Sequence, residues 1–401
     1  MKILGSFAQI ITLNHLPLKG AIKDDALEII ENGGILIGNN LILEVGNFEA
    51  LVKKYPKVLV EEVANPSVLL PSFVDCHTHT CFAGSRANDF AARNAGKTYL
   101  EIAAAGGGIW SSVQKARACS EDNLYNLTLD RVNQFVKEGI KTIEIKSGYG
   151  LDLENELKML RVIQHVKENT DANIISTCLA AHIKPKDFEG TNSDYLNWIL
   201  NELLPLIEVE GLSNRVDIFI EKSAFGIEES RLYLQKVKDL GFDITVHADQ
   251  FTAGSATLAA ELGALSADHL EASTEKEIEV LANSATVAVV LPGASIGLGE
   301  PFAPARKLLD AGACLAIASD YNPGSAPMGD LLTQASILAT YQKLSTAEAL
   351  AGLTFRAAKA LNINNIGKIA PNYKADLQVY ACDDYREILY HQGRLKPYKI
   401  V

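Results

Sequence analysis

The middle of the chain alternates short apolar runs with longer amphipathic segments. Segments such as ENELKMLRVIQHVKEN and EESRLYLQKVKDLG repeat apolar residues at helical spacing. The apolar runs between such segments are LLPSFVDCH, IKTIEIKSG, NIISTCLAAH, RVDIFIEKS, FDITVHAD, ALSADHL, TVAVVLP and CLAIASD. A strand followed by a helix, repeated eight times over about three hundred residues, predicts an α/β fold built as a (β/α)8 barrel of the TIM type.

Both ends of the chain carry strand-like runs without long helices between them. The runs ILGSFAQIITL, GGILIGNNLILEVG and KVLVEE lie near the N-terminus, separated by Gly and Asn turns, and KADLQVYACD lies near the C-terminus. We therefore predict a small β-sandwich domain formed from residues 1–64 and 355–401, with the barrel at residues 65–354.

The composition excludes several classes of protein. A hydrophobic fraction of 48% over 401 residues excludes a disordered or fibrous chain. A net charge of -12 without a basic patch argues against binding to nucleic acid or to an anionic membrane surface. The segment MKILGSFAQIITL lacks the long apolar core and cleavage site of a signal peptide, and the 6 cysteines are scattered without paired spacing. These features predict a cytoplasmic protein.

Polar residues with metal-binding side chains follow the predicted strands at their C-terminal ends, where such a barrel builds its active site. They are His77 and His79 after strand 1, His182 after strand 3, His247 on strand 5, His269 on strand 6 and Asp320 after strand 8.

Four of these residues form a candidate metal site. Because side chains alternate along a strand, His77 and His79 point the same way, into the mouth of the barrel. Together with His247 and Asp320 they offer three imidazoles and one carboxylate, a set that suits zinc or non-haem iron and leaves a position open for water. A His-x-His pair alone is weak evidence, since a strand-end histidine often only hydrogen-bonds a backbone carbonyl.

The chain resembles the amidohydrolase superfamily, in which a His-x-His on strand 1 and an Asp on strand 8 hold one or two metals. Within it, seven motifs in order resemble the imidazolonepropionase family. They are DCHTHTCFAGSR, EIAAAGGGIWSSV, IEIKSGYGLD, HADQ, SADHLE, VVLPGA and SDYNPGSAP, and they extend from about Pro71 towards the C-terminus. The resemblance implies a metal-dependent hydrolase of L-histidine degradation that opens the cyclic amide of 4-imidazolone-5-propanoate with water, giving N-formimidoyl-L-glutamate.

The resemblance also bears on the number of metal ions. Binuclear relatives bridge two metals with a carbamylated lysine from strand 4, where Lys222 is a conceivable bridge, whereas Lys146 lies on strand 2. The match to a mononuclear family favours one Zn²⁺ or Fe³⁺ per chain.

The resemblance assigns substrate contacts to particular residues. Arg86 is expected to bind the propionate of the substrate, because a guanidinium matches a carboxylate, and Tyr149 and His182 are expected to contact the substrate. Gln250 stands where some members of the family carry Glu, so it can hydrogen-bond the ring but cannot be a general base. Without the motifs, Arg86 is better explained as a surface arginine, whereas Tyr149 and His182 fit an ordinary rim tyrosine and a capping histidine equally well. Tyr99 is a weaker candidate.

The remaining candidates belong to catalysis and to the loop after strand 8. The resemblance makes Asp320 the proton acceptor from water, and it places His269 where an imidazole stabilises an oxyanion or orients the water. Asn322, Gly324 and Ser325 follow the strand 8 ligand directly and are expected at the substrate, although a plain turn would use the same residue types.

Two other functions stay open at the level of the sequence. Another amidohydrolase, such as a heterocycle deaminase, would share the metal ligands but has less use for a carboxylate clamp. A barrel that has lost its catalytic role would not need competent side chains at all four ligand positions. The partner expected is a small-molecule substrate, with no nucleic acid and no membrane, and a homodimer is left open.

Overall fold

The computed structural model describes residues 1–63, 66–98, 101–102 and 105–401. Their strands are β1 (Lys2–Ile11), β2 (Ile29–Gly38), β3 (Leu41–Asn47), β4 (Leu59–Glu62), β5 (Val68–Pro71), β6 (Phe73–Asp75), β7 (Ile140–Lys146), β8 (Asn173–Ala181), β9 (Arg215–Phe219), β10 (Asp243–Ala248), β11 (Ser266–His269), β12 (Val287–Val290), β13 (Leu315–Ile317), β14 (Leu377–Tyr380) and β15 (Lys399–Ile400).

Helices connect most of these strands. The α-helices of the described residues are α1 (Phe48–Lys54), α2 (Ala87–Asn94), α3 (Ile109–Ala118), α4 (Glu121–Lys137), α5 (Leu153–Glu168), α6 (Asn192–Trp198), α7 (Leu204–Glu210), α8 (Ile227–Asp239), α9 (Ser255–Glu261), α10 (Glu275–Ala282), α11 (Pro292–Leu298), α12 (Ala305–Ala311), α13 (Leu331–Gln342), α14 (Thr346–Gly352), α15 (Phe355–Ala360) and α16 (Arg386–Tyr390). A 3₁₀ turn at Asp24–Ala26 and a π-helical turn at Ile199–Leu203 complete them.

Strands β6 to β13 pair in chain order, each parallel to the next, and form an eight-stranded sheet. Their apolar residues fill the sheet: all four residues of β12, VAVV, are buried. The eight strands and the barrel predicted from the sequence are confirmed.

Helix α5 shows why the segments between strands are helical. The side chain of Asp152 accepts a hydrogen bond from the backbone N–H of Asn155 and so caps the first turn. Leu157, Leu160 and Ile163 recur at helical spacing, are buried, and lie on the face that packs on β8. The predicted amphipathic helix is therefore present.

The barrel closes between its first and last strands just beyond their ends. The Tyr321 carbonyl accepts from the backbone N–H of His79 at 2.9 Å, and the His77 carbonyl accepts from the backbone N–H of Asp320 at 3.1 Å. The side chain of Asp75 accepts from the backbone N–H of Ser319 at 3.0 Å. The seam of the barrel, defined as these contacts between residues 75–79 and 319–321, is thus made by the segments that carry three predicted metal ligands.

A second sheet gathers strands from both ends of the chain. Its order is β15-β14-β5-β1-β2-β3, with β4 paired to β1. Apolar side chains from distant parts of the sequence, among them Phe7, Leu69 and Leu377, share its core. The two ends of the chain therefore meet in one sheet, as the sequence predicts, while the domain limits at residues 64 and 355 stay predictions.

Candidate active site

A cavity of about 490 Å³ opens at the C-terminal ends of the barrel strands. His79, His247 and Asp320 line its floor, and Arg86 and Tyr149 belong to its walls. Strands of a barrel end together on one face, so residues far apart in sequence meet there. The histidines from strands 1, 3, 5 and 6 predicted to lie at this face are brought together.

The donor atoms form two overlapping groups of three, each compact enough to hold a metal ion: His77, His79 and His247, and His77, His269 and Asp320. Oδ1 of Asp320 lies 3.5 Å from Nε2 of His77 and 3.4 Å from Nε2 of His79. Nε2 of His79 lies 3.3 Å from Nε2 of His247. These separations are close to the edge of about 3.4 Å of a tetrahedron whose corners lie roughly 2.1 Å from a central ion.

The donor set fits a divalent metal ion. Nε2 of His77 is buried and has no hydrogen-bond partner among the described residues. Nε2 atoms of His79 and His247 face each other, an arrangement that suits two lone pairs aimed at a shared cation. Three imidazoles and one carboxylate are a donor set that zinc and iron accept.

Buried carboxylates fix the orientation of two of the imidazoles. Nδ1 of His77 lies 2.7 Å from Oδ2 of Asp268, and Nδ1 of His247 lies 2.9 Å from Oδ2 of Asp217. Because an ionised carboxylate only accepts hydrogen bonds, Nδ1 of His77 carries a proton and its Nε2 faces the metal position. The contact of His247 with Asp217 is close but lies outside hydrogen-bond geometry, and it favours the same tautomer electrostatically.

The pKa values of these groups suit a metal site. Burial holds the pKa of His247 well below its ordinary value, so this imidazole is neutral. Burial alone would raise the pKa of Asp320, but the imidazoles of His77 and His79 beside it outweigh burial and hold that pKa well below the ordinary value. Burial and Lys146 lower the pKa of His77, yet the neighbouring carboxylates of Asp268 and Asp320 prevail and raise it to about 9. A metal ion binding at His77 therefore displaces a proton.

Arg86 forms part of the cavity wall beside the loop after strand 8. Its Nε donates to Oδ2 of Asp89 at 2.8 Å. Its guanidinium packs so closely on Gly324 that a Cβ added there would lie 2.1 Å from Nη1 of Arg86. Gly324 is therefore the residue that lets the arginine reach this position.

Tyr149 and His182 lie next to each other above the metal-binding cluster. Their ring centroids are 5.5 Å apart, and that of Tyr149 lies 6.0 Å from that of His79. Burial raises the pKa of Tyr149, so its hydroxyl keeps its proton. Burial lowers the pKa of His182 to about 3, and its Nδ1 lies 3.0 Å from the carbonyl oxygen of Gly148. A carbonyl only accepts, so the neutral ring of His182 keeps a lone pair on Nε2.

The turn that carries Tyr149 is held from beneath by a buried carboxylate. Oε1 of Glu156 accepts from the backbone N–H groups of Gly148, Gly150 and Leu151 at 3.1, 2.8 and 2.9 Å. The position of Tyr149 therefore depends on the conformation of the whole turn, which Glu156 holds through these hydrogen bonds.

The loop after strand 8 is organised around Asn322. Its Oδ1 accepts from the backbone N–H groups of Gly324 and Ser325, at 2.7 and 2.8 Å. Its Nδ2 donates to Oδ2 of Asp320 at 2.9 Å, and the Ser325 hydroxyl lies 3.3 Å from the same oxygen. One carboxylate oxygen of Asp320 thus faces the imidazoles, and the other is held by the loop.

His269 and Gln250 complete the set of candidate residues at the cavity. The ring of His269 lies 5.3 Å from that of His247 and 5.8 Å from that of His77, measured between centroids. Its φ of +89° turns the chain at the end of strand 6, so the side chain enters the cavity. Gln250 lines the same cavity two residues beyond strand 5.

Two features of the site were missed at the level of the sequence. Asp217 and Asp268 are buried charged residues within apolar strands, a pattern that signals an inward-facing polar core. Arg93 lines the cavity, and its Nη2 is buried without a hydrogen-bond partner among the described residues. The only signal for Arg93 in the sequence was its place on helix α2, which begins directly after Arg86.

Other residues considered from the sequence lie elsewhere. The side chain of Lys222 is exposed and is not part of the cavity lining. The glycines at 106–108 form a turn that leads into helix α3, where the backbone N–H of Gly108 donates to Asp89. Tyr99 lies outside the described residues.

Comparisons with known proteins identify relatives of the chain. Residues 218–394 match the model of the amidohydrolase family. An imidazolonepropionase of Clostridium tetani is 37% identical over 394 residues, covering 98% of this chain and 94% of that protein. An imidazolonepropionase of Myxococcus xanthus is 42% identical over 325 residues, covering 80% of this chain and 77% of that protein.

Solved structures share the fold. Guanine deaminase of E. coli superposes with a TM-score of 0.72 at 15% identity, covering 100% of this chain and 98% of that chain. An adenosine deaminase of Xanthomonas campestris with bound zinc superposes with a TM-score of 0.69 at 17% identity, covering 100% and 91%. At these identities the likeness concerns the fold alone. The sequence relatives, which are alike over almost the whole chain, place it more narrowly: the chain belongs to the imidazolonepropionase family of amidohydrolases.

Proposed function

We propose that the chain hydrolyses the ring amide of 4-imidazolone-5-propanoate to N-formimidoyl-L-glutamate. Water adds to the ring carbonyl carbon, the adjacent C–N bond breaks, and the ring nitrogen takes up a proton. The proposal depends on one observation above all: His79, His247 and Asp320, three of the proposed metal ligands, line one cavity with Arg86, a cation suited to the substrate carboxylate. The propionate is the anionic group of the substrate that Arg86 would bind. The carbonyl that reacts is neutral and needs no such partner.

One divalent zinc or iron ion per chain would be held by His77, His79, His247 and Asp320. When bound, such an ion supplies Lewis acidity, which lowers the pKa of water and polarises a carbonyl. The chain supplies binding, orientation and a place for the proton.

Arg86 and Tyr149 would bind the propionate. The guanidinium of Arg86 offers paired N–H donors, and the protonated hydroxyl of Tyr149 adds a third. Arg93 lines the same cavity and raises the positive potential that an anionic substrate meets on entry. With the propionate bound by these residues and the ring held near the proposed metal ligands, both ends of the substrate are fixed and the ring is aligned for reaction.

His182 and Gln250 would hold the ring. Nδ1–H of His182 donates to the Gly148 carbonyl, so Nε2 keeps a lone pair and can accept from a ring N–H. Gln250 has both a donor and an acceptor and can hydrogen-bond the ring, but it cannot take a proton from water.

Asp320 would receive the proton that water loses. Its low pKa keeps it ionised, and Asn322 fixes the orientation of its Oδ2. His269 lies beside the cluster, where its imidazole would stabilise the oxyanion that forms at the carbonyl.

The six cysteines are all unpaired, which fits the reducing cytoplasm that we propose for this enzyme. Separately, none of the helices in the described residues is long and apolar enough to cross a membrane.

An assay with freshly generated 4-imidazolone-5-propanoate tests the proposal. Purified enzyme is expected to consume the compound and to form N-formimidoyl-L-glutamate, with activity that depends on bound zinc or iron. Guanine and adenosine serve as control substrates. Deamination of either compound without turnover of the imidazolone would contradict the proposal.

A further inference from the structure

Lys146 is a fully buried cation inside the barrel, below the metal-binding cluster. Its side chain is 0% exposed, at the end of strand β7. Its Nζ lies 2.7 Å from Oε1 of Glu144, 2.8 Å from Oδ2 of Asp217 and 3.9 Å from Oδ2 of Asp268. Burying a charged lysine is unfavourable unless carboxylates pair with it, so this arrangement calls for a reason.

Two of the three carboxylates connect Lys146 to the cluster. Oδ2 of Asp217 is shared between Lys146 and Nδ1 of His247, which lies 2.9 Å away. Oδ2 of Asp268, at the longer distance from the amine, bonds Nδ1 of His77 at 2.7 Å. Lys146 therefore touches no proposed ligand itself but contacts the groups that orient two of them.

We propose that Lys146 is a positioning residue for the metal site, holding Asp217 and Asp268 so that His247 and His77 turn Nε2 towards the ion. This inference rests on the ligand set of the proposed function. Asp217 Oδ1 also accepts from the backbone N–H groups of Ile218 and His247, and Asp268 Oδ2 accepts from the Thr245 hydroxyl. With the amine removed, Asp217 loses the cation beside its Oδ2 and Asp268 loses a more distant one, so both carboxylates hold the imidazoles less firmly. Partners of this kind typically contribute about 10- to 100-fold to metal affinity.

The direction in which metal affinity changes on removal of Lys146 distinguishes a positioning role from a purely electrostatic one. A cation near a metal ion repels it, so the Coulomb interaction alone predicts that removal of Lys146 strengthens metal binding. Positioning predicts weaker binding, because the loss of orientation outweighs the relief of repulsion. The sign of the change therefore tests the inference.

The experiment compares Lys146→Met with Lys158→Met. Lys158 is a matched control, because its Nζ also makes several hydrogen bonds, to the carbonyls of Ala116, Arg117 and Cys119, but it caps the end of helix α3 away from the cluster. Zn²⁺ affinity is measured by competition with a chromophoric chelator, and the visible absorption of Co²⁺-loaded protein reports ligand geometry.

Lys146→Met is expected to bind Zn²⁺ about 10- to 100-fold more weakly, with an altered Co²⁺ spectrum, and Lys158→Met is expected to match the wild type. Affinity that is unchanged or stronger in Lys146→Met, with an unchanged spectrum, would overturn the inference. Wild type that binds no metal would instead contradict the ligand set of the proposed function.

A charge-balanced variant covers the case in which Lys146→Met does not fold. Glu144 pairs with Lys146 and accepts from the backbone N–H of Thr78, but it contacts no proposed ligand. Lys146→Met combined with Glu144→Gln removes one charge of each sign from the interior and keeps an acceptor for Thr78. This double variant is expected to show the same loss of affinity, and wild-type affinity in it would equally overturn the inference.

Discussion

At the scale of single residues, the free nitrogen of each imidazole is determined by the partner of the other nitrogen. Asp268 and Asp217 hold Nδ1 of His77 and His247, and a backbone carbonyl holds Nδ1 of His182. All three rings therefore present Nε2 to the cavity. We expect the same orientation to serve metal binding in His77 and His247, which share a compact group with His79, and substrate binding in His182, which lies outside that group.

Replacement of Arg86 by alanine is expected to raise KM for 4-imidazolone-5-propanoate, with a smaller effect on kcat. The lost charge-assisted hydrogen bonds correspond to about 1.5–3 kcal/mol, or roughly 10- to 150-fold in KM. Steady-state kinetics measure both constants. Arg161→Ala, which removes an exposed ion pair to Glu210, is the matched control and should change neither. An unchanged KM in Arg86→Ala would remove this residue from the carboxylate clamp.

Asp320 and Gln250 are expected to respond differently to substitution, because only the carboxylate can accept a proton. Asp320→Asn should lose turnover by about 100- to 10,000-fold even where metal is retained. Gln250→Ala should keep substantial turnover with weaker substrate binding. Single-turnover rates are compared at equal metal content. An active, metal-loaded Asp320→Asn beside an inactive Gln250→Ala would show that the proton takes another route.

At the scale of elements, the loop after strand 8 links catalysis to substrate binding. Asn322 hydrogen-bonds Asp320 on one side and the backbone of Gly324 on the other, and Gly324 contacts Arg86. The carboxylate and the guanidinium are thus set at a fixed spacing by one turn, so a change in this turn affects both.

Gly324→Ala is expected to displace Arg86 and to raise KM nearly as much as removal of the arginine. The added Cβ would overlap Nη1, so the guanidinium must move out of the site. Gly46→Ala is the control, because nothing lies within 4 Å of a Cβ at that position. The combined variant Gly324→Ala with Arg86→Ala should be no worse than Arg86→Ala alone, since the two act through one interaction. Additive losses would contradict this explanation.

The elements, and the meeting of the candidate site residues at one face of the barrel, could be predicted from the sequence. Most barrel strands are apolar runs followed by polar residues, and in a barrel those ends meet whatever the details of packing. This is why His77, His79, His247 and Asp320 could be placed together without knowledge of the strand register.

The network around Lys146 could not be predicted in the same way. Its partners Asp217 and Asp268 lie on strands 4 and 6, and whether inward-facing side chains of non-adjacent strands meet depends on the tilt and stagger of the barrel. The contact of Arg86 with Gly324 could not be predicted from the sequence either, because it depends on how two loops fold over the mouth of the barrel.

At the scale of the whole molecule, the seam of the barrel and the metal site are made by the same residues. His77 and His79 follow the first strand and Asp320 follows the last, and their backbones hydrogen-bond across the seam. An ion bound to these side chains would tie the two ends of the barrel together, in addition to any role in chemistry.

Removal of the metal with a chelator is therefore expected to abolish activity and to lower the Tm by a few degrees, because an ion that binds only the folded state stabilises it. Differential scanning calorimetry of metal-loaded and metal-free protein measures the shift, and added Zn²⁺ should reverse it. In His247→Ala the chelator should have little effect. Equal Tm values for the two forms of the wild type would show that the ion does not brace the seam.

The seam joins two segments that are far apart in the sequence, so it can form only late in synthesis of the chain. The chain leaves the ribosome from its N-terminus, so His77 and His79 emerge long before Asp320 is joined to the chain. The second sheet likewise awaits β14 and β15, which follow the barrel strands in the chain. A nascent chain thus lacks one of the proposed ligands until residue 320 has been added, and we expect the complete ligand set to form only after that point.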